Sequence, residues 1–312
     1  MKSLLVLTDF SRNAKRAAEA ALNLANKLGG GEIVLLNTYL NPLFLPSAEY
    51  VAWPPEYYTA FKEESISQMN SECKRLHQIV TDLKIPAEKI KIDSLNLEGS
   101  LSDHLESVLK KRNTTLIVMG ARRKVSGDFL FGSSINATLS HASCPVLIVP
   151  ENHSVINFRH LVFATDLELK DVKRIKYLLD LYTNEDFHLH VCHVASSPVL
   201  IPDFDEEDKT IQFINSLSKL NFANISYHSL EGNNITKELE EFSHDITADL
   251  FVLTHHKHSF FWQIFHQSPS KSLIRYHKIP LLILPEKLKI PLEKQDLKNK
   301  IQKRVRPGLY IL

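Results

Sequence analysis

The chain has 312 residues, 44% hydrophobic and 23% charged, which is enough apolar side chain for two domains of ordinary size. Lys and Arg number 37 against 36 Asp and Glu, and a net charge of +1 gives no long-range attraction to nucleic acid or to an anionic membrane. Three widely spaced cysteines predict reduced thiols in the cytoplasm, and no apolar run approaches the roughly 20 residues of a membrane helix.

The same order of apolar runs occurs twice along the chain. Each half opens on a run that ends in Thr-Asp, at Asp9 and Asp166, and closes on a proline-flanked run, at 144–150 and 279–285. Short runs that are apolar throughout are typical of parallel strands buried on both faces. The repeat therefore predicts an α/β fold of two tandem doubly wound domains, each with a five-stranded parallel sheet.

The other elements follow from periodicity and from helix-ending residues. Helices are predicted over 13–28, where three glycines end the pattern, and over 65–83 and 100–109. Inner strands are predicted in both halves, over 33–38, 90–95, 116–120, 189–194, 225–230 and 250–254. The predicted domains are residues 1–150 and 157–286, followed by a basic C-terminal tail, 287–312, with an apolar end.

Residues 41–58 form the largest insertion of the first half over the second. The segment is rich in proline and aromatic residues, which predicts an irregular loop. A loop packed by its own aromatics is the simpler interpretation, and a lid or partner surface is the functional alternative.

Four short segments of the first half carry the ligand-binding pattern: 8–11, 119–122, 132–134 and 141–146. Ligands of open α/β sheets bind at the carboxyl ends of the strands, where the strand order reverses. Glycines allow backbone N–H groups to approach phosphate oxygens, and the helix after Gly132 directs its positive N-terminus to the same place. A carboxylate such as Asp9 accepts hydrogen bonds from ribose or base amino groups.

These segments, in this order and at nearly this spacing, resemble the universal stress protein family. The resemblance implies a nucleotide-responsive regulatory or stress-response module that binds ATP or AMP, with or without Mg²⁺, and has no catalytic residues. It also implies pairing of the two closing strands within the chain as a pseudo-dimer, while a homodimer stays open. The nucleotide-binding residues implied are Thr8, Asp9, Thr38, Gly120, Arg122, Arg123, Gly132, Ser133 and Ser134.

The first copy departs from the family pattern. Arg123 stands where a second glycine is expected, and the loop from Gly120 to Gly132 is one residue short. Arg122 and Arg123 are able to replace the missing backbone contacts with guanidinium contacts to phosphate. The alternative is an interaction scaffold whose two sites have both lapsed. A slow ATPase is a second alternative, although the chain has no Gly-Lys-Ser/Thr phosphate loop.

The second copy keeps Asp166 but not the loop. The positions of its glycines are Thr254, Lys257 and Gln267, whose side chains would fill the space of the phosphates. We therefore predict no nucleotide binding by this half.

Histidines are concentrated in the second half, with twelve of fifteen between His153 and His277. A metal or anion site is one interpretation of those predicted at one sheet edge, namely His193, His255, His256 and His258. Packing is the favoured interpretation, because no spacing matches a zinc pattern, and the same holds for His188 and His190 on one strand face. The spacing argues against a hydrolase triad of Ser133, His141 and Asp9, since no nucleophile elbow is present.

Overall fold

The computed structural model describes residues 2–39, 55–123, 129–130, 133–151, 158–181, 187–195, 204–255 and 279–289. The first half contains β1 (Ser3–Leu7), α1 (Arg12–Lys27), β2 (Gly31–Tyr39), α2 (Pro55–Asp82), β3 (Ile90–Glu98), α3 (Leu101–Arg112), β4 (Thr114–Gly120), β5 (Arg122–Arg123), β6 (Phe129–Leu130), α4 (Ser133–His141) and β7 (Val146–Val149). The second half contains β8 (His160–Ala164), α5 (Leu169–Leu181), β9 (His188–Ala195), α6 (Phe204–Ser218), β10 (Ile225–Glu231), α7 (Ile235–Asp245), β11 (Leu250–His255) and β12 (Leu281–Pro285).

Ten strands form one sheet in the order β10-β9-β8-β11-β12-β7-β4-β1-β2-β3. Each half contributes five parallel strands, and the two closing strands join them in antiparallel pairing, with Leu282 opposite Leu147. This junction covers two apolar strand edges that would otherwise be exposed. The predicted fold class is confirmed, and the closing strands pair within the chain as expected.

Helices cover both faces of the sheet. One apolar core runs across both halves beneath α1, α2, α5 and α6, and includes Leu76, Phe163 and Phe213. On the opposite face α3 and α4 cover the first half and α7 covers the second, over separate cores. Within the described ranges, no helix combines the length and the hydropathy needed to cross a membrane.

Local sequence signals explain where helices begin and end. Ser11 caps α1 by accepting from the N–H of Ala14, and Ser100 forms a reciprocal capping box with Asp103 at the start of α3. The first helix ends before Gly29 and Gly30, which adopt φ angles of 86° and 110° that other residues rarely adopt.

The sequence prediction was wrong at the end of the 41–58 segment. The helix α2 begins at Pro55, so residues 55–58 are helical rather than part of a loop. Proline is tolerated at the first helical position because the N–H it lacks has no partner there. Residues 40–54 lie outside the described residues.

The predicted domain boundaries stay a prediction, and the tail lies outside the described residues beyond Lys289.

Candidate functional site

A cavity of about 290 Å³ lies in the first half at the carboxyl ends of β1, β2 and β4. In the strand order, β1 lies between β2 and β4, so the cavity lies where the order reverses. Its volume is close to the lower end of small-ligand sites, roughly 300 Å³. The predicted residues that line it are Thr8, Asp9, Thr38, Gly120 and Ser134.

A tight turn between β1 and α1 fixes Asp9 at the edge of this cavity. Phe10 adopts a φ of 61°, and its N–H donates to Oγ1 of Thr8 at 3.0 Å. The exposed carboxylate of Asp9 accepts from the N–H of Ser11 at 3.1 Å, which ties it to the first turn of α1. Asp9 is the charged side chain among the described residues of the lining, so this side of the cavity suits hydrogen-bond donors rather than phosphate.

Gly120 has a packing role besides its place in the cavity wall. A Cβ at this position would lie 2.5 Å from the carbonyl carbon and oxygen of Asn13, in the first turn of α1. The Asn13 side-chain amide in turn donates to the carbonyl oxygen of Ala121. The absence of a side chain at Gly120 therefore lets α1 start directly against the end of β4.

The nucleotide-binding residues predicted from the sequence left out Ser11 and Asn37, which also line the cavity. The Asn37 side chain is buried, donates to the carbonyl oxygen of Thr8 at 2.8 Å, and accepts from the Ser65 hydroxyl at 2.9 Å. These bonds join the ends of β1 and β2 to α2. In the sequence, Asn37 is a polar residue at the end of an apolar strand. The apolar pattern alone does not tell what such a residue bonds.

The start of α4 also contributes to the wall of the cavity. Ser134, which is exposed, and Ile135 both contribute to the lining, one and two residues after the helix begins. Backbone N–H groups in the first turn of a helix have no intrahelical partner, so they are available to an anion. The part of the cavity lined by Ser134 therefore has the chemistry that phosphate requires.

The glycine loop is only partly within the described residues. Arg122 and Arg123 form β5, a two-residue strand paired with β6, with Arg122 opposite Leu130. The sequence did not predict this hairpin. Gly132 and residues 124–128 lie outside the described ranges, so the predicted phosphate roles of Arg122, Arg123, Gly132 and Ser133 stay predictions. His141 bonds the carbonyl oxygen of Ala137 on its own helix.

The second half repeats the turn after its first strand. Leu167 has the φ angle of Phe10, 61°, and its N–H donates to Oγ1 of Thr165 at 3.0 Å. His193 contacts the carbonyl oxygen of Thr165 at 3.0 Å, as Asn37 does that of Thr8. The histidine thus has the structural role of the asparagine, which favours the packing interpretation.

The space beside this turn differs between the halves. The third and sixth residues of α1 are Ala14 and Ala17, whereas those of α5 are Asp171 and Arg174, both buried. Asp171 accepts from the Thr165 hydroxyl at 2.8 Å and from the Arg174 guanidinium at 3.0 Å, while burial raises its pKa above the ordinary value. An ion pair therefore stands in the second half where the first has two methyl groups.

Thr254 is buried at the end of β11, at the strand position of Gly120 in β4. A threonine here supplies the side chain that Gly120 lacks. His255 follows it, and His256 and His258 lie outside the described residues. Among the side chains that the structure describes, no three His, Cys, Asp or Glu residues are arranged to hold a metal ion.

The fold and this cavity define the class of protein: a doubly wound α/β protein with a small-ligand cavity at a topological switch point. Residues 1–150 match the model of the Universal stress protein family. A universal stress protein of Synechocystis is 23% identical over 298 residues, covering 90% of this chain and 99% of that protein. The first half, residues 1–150, therefore belongs to the universal stress protein family, and the length of the whole chain corresponds to the tandem form.

Solved structures show the same fold over both halves. A universal stress protein from Archaeoglobus fulgidus aligns with a TM-score of 0.60 at 19% identity, covering 91% of this chain and 96% of that one. A protein of unknown function from Pseudomonas aeruginosa aligns with a TM-score of 0.53 at 13% identity, covering 92% and 93%. At these identities the likeness concerns the fold alone.

Proposed function

We propose that the first half binds an adenine nucleotide, ATP or AMP, and that the second half does not, so that the chain is a nucleotide-responsive regulatory or stress-response module. The observation that carries the proposal is the cavity, whose lining includes both Asp9 and the N-terminal turn of α4. The proposal involves no catalytic residue. A cytoplasmic location stays a prediction from the cysteine spacing.

The two sides of the cavity suit the two ends of a nucleotide. Asp9 and Thr38 lie at the ends of β1 and β2, where carboxylate and main-chain groups can bond ribose hydroxyls or the adenine amino group. Phosphate would lie at Ser134, in the first turn of α4, where the N–H groups and helix dipole favour negative charge. The reverse orientation would place phosphate against the Asp9 carboxylate, which like charge disfavours.

Two arginines follow this cavity in the sequence. Arg122 and Arg123 come two and three residues after Gly120, on the two-residue strand β5. We assign to these arginines the binding of the phosphates through their guanidinium groups. These contacts would replace the backbone contacts that the family glycine allows. A nucleotide that binds together with Mg²⁺ would bring a further positive charge to the phosphates. Binding is therefore measured both with and without Mg²⁺.

Titration calorimetry of the full chain with ATP and with AMP tests the proposal. We expect Asp9→Ala to weaken binding about tenfold, since it removes a hydrogen bond to a charged group. Asp166→Ala is the matched control, because Asp166 has the same place in the second half, and it should leave the affinity unchanged. Gly132→Asp should abolish binding by placing a carboxylate beside the phosphates.

Two outcomes would contradict this function. Absence of heat with the intact chain, together with no nucleotide in an extract of the denatured protein, would favour the scaffold with two lapsed sites. Equal loss of affinity in Asp9→Ala and Asp166→Ala would instead place the ligand outside the first-half cavity. Hydrolysis above buffer background that disappears in Asp9→Ala would favour the ATPase alternative.

A further inference from the structure

Four histidines meet on the sheet face that α7 covers. His160 begins β8, His188 and His190 lie on β9, and His228 lies on β10. The ring nitrogens of His160 and His190 are 3.3 Å apart, and those of His190 and His228 are 3.1 Å apart. We call these four residues the histidine cluster.

Ser226 joins three members of the histidine cluster through one hydroxyl oxygen. That oxygen lies 2.9 Å from Nε2 of His188, 2.7 Å from Nε2 of His228 and 3.3 Å from Nδ1 of His190. A neutral imidazole has one donor and one acceptor, so a network of this kind can be satisfied when every ring is neutral.

The helix α7 closes over the histidine cluster with an aromatic side chain. The Phe242 ring lies 4.6 Å from the His228 ring and 5.9 Å from the His190 ring, centroid to centroid. His190 is 9% exposed, which makes it the most buried member. Protonation would thus place positive charge against an apolar ring and away from water.

Burial and mutual repulsion favour the neutral form of the His188, His190 and His228 rings. Burial, followed by the charges of His188, His228 and His160, lowers the pKa of His190 to about 4. Burial also lowers the pKa of His188, with a further contribution from His160, and the pKa of His228, with a further contribution from His188. Each pKa is therefore below the value of about 6.5 that an unfolded chain has.

Other ionisable groups lie on the elements around the histidine cluster. Asp249 accepts from the N–H groups of Arg159 and His160, and burial raises the pKa of the neighbouring Cys192 thiol. On α7, Glu241 pairs with Lys237 and His244 lies beside Asp245, all four well exposed. The remaining acidic residues of that helix are Glu238 and Glu240.

The first half has a different chemistry at the same strand positions. Glu32 and Asp93 stand in the register of His188 and Ser226, and both form ion pairs with Arg112, at 3.6 and 2.7 Å. Val34 and Leu95 stand in the register of His190 and His228. The first half thus has ion pairs and apolar residues at these positions. The second half has the histidine cluster and Ser226 there instead.

We propose that the histidine cluster makes the second half acid-sensitive: when the imidazoles take up protons, α7 separates from strands β8, β9 and β10 while the first half keeps its fold. A protonated imidazole has two donors and no acceptor, so ring nitrogens that were bonded to one another become paired donors. The charged rings also repel each other beneath Phe242.

The direction in which pH changes the stability of the second half follows from the direction of the pKa changes. Folding lowers the pKa of His188, His190 and His228, so their contribution to stability is complete above about pH 6.5 and is lost as the pH falls toward the folded value. For His190 that value is about 4. Within this window each such histidine raises the unfolding constant by up to about tenfold per pH unit.

Hydrogen exchange of the full chain, read by peptide mass spectrometry at about pH 7.5 and about pH 5, tests the proposal. Protection is calculated against the intrinsic exchange rate at each pH. At the lower pH we expect protection in α7 and β9 to fall at least about tenfold, and protection in α3 and β2 to change by less than about threefold. Equal loss in both halves would overturn the proposal.

Variants separate the histidine cluster from general acid effects. His190→Val with His228→Leu installs the first-half residues and should remove the selective loss, as should His228→Gln, which keeps a polar partner for Ser226. His244→Gln, on the exposed face of α7, is the control and should retain the loss. A selective loss that survives in both His228 variants would overturn the proposal. A gain of α7 protection on adding Zn²⁺ at neutral pH, absent in the double variant, would overturn it in favour of a metal site.

Discussion

The carboxyl ends of the two half-sheets share a turn and differ in what lies beside it. Both turns have a left-handed residue bonded to a threonine hydroxyl, at Phe10 and Leu167. Beside them the first half has alanines and a cavity, whereas the second has the buried pair of Asp171 and Arg174. The turn is therefore a requirement of the fold, and the small residues around it are what a ligand site requires.

The amino ends of the half-sheets differ in the kind of charge they carry. Arg112 bridges Glu32 and Asp93 in the first half, while neutral imidazoles meet in the second. The first arrangement is weakened by salt, and the second by acid. Three predictions test these two comparisons.

The largest effect is expected from Asp171→Ala, which gives α5 the residue that α1 has at this place. It leaves the Arg174 guanidinium buried without its carboxylate, and should lower the free energy of unfolding by about 3–5 kcal/mol. Urea unfolding measures the change. Adding Arg174→Met to the same variant removes the unpaired charge and should recover at least about 2 kcal/mol of it; a double variant no better than the single would show that the pairing is not what matters.

Gly120→Ala should have an intermediate effect, lowering the free energy of unfolding by about 1–3 kcal/mol. The new Cβ meets backbone atoms of Asn13, so no side-chain rotation can relieve the contact. Thr254→Ala, at the matching place in β11, makes a side chain smaller and should cost roughly 0.5–1.5 kcal/mol, like other small deletions. Thermal and urea unfolding compare the two. An unaffected Gly120→Ala protein would mean that α1 does not pack against β4 as described.

The smallest effect is expected from Arg112→Met, about 1 kcal/mol or less, because the salt bridges are partly exposed. Burial alone would raise the pKa of Asp93, but the Ser94 N–H and the Arg112 guanidinium outweigh it and lower the pKa. Its contribution is thus present above about pH 3.9, the unfolded value, and lost below it. The difference between wild type and variant, from urea unfolding, should be the same at about pH 7.5 and about pH 5. A difference that disappears at pH 5 would remove the contrast with the histidine cluster.

The sequence predicted the sheet well because its strands are apolar throughout and its helices have clear ends. It failed at Pro55, where proline was interpreted as a loop residue although it begins a helix. Thr8, Asp9 and Gly120 were predicted as site residues and do line one cavity. The contact of Gly120 with Asn13 could not be predicted, since it depends on how closely a helix packs on a distant strand.

The histidines show more clearly what could not be predicted from the sequence. The chain order suggested a group around His193 and His255, whereas the rings that meet belong to other positions. Which residues of β8, β9 and β10 are neighbours depends on strand register, and a shift of one residue moves a side chain to the other face. The burial of Asp171 was hidden for a similar reason, because helical periodicity does not tell which polar residue faces the sheet.

The antiparallel junction between β7 and β12 decides which ends of the halves lie side by side. Because the two sets of strands run in opposite directions, the carboxyl ends of the first set and the amino ends of the second share one rim of the sheet. The candidate nucleotide cavity and the histidine cluster lie along that rim. The Arg112 salt bridges and the buried pair of Asp171 and Arg174 lie along the opposite rim. A nucleotide and a change in acidity would then act on the molecule from the same end, on either side of its central seam.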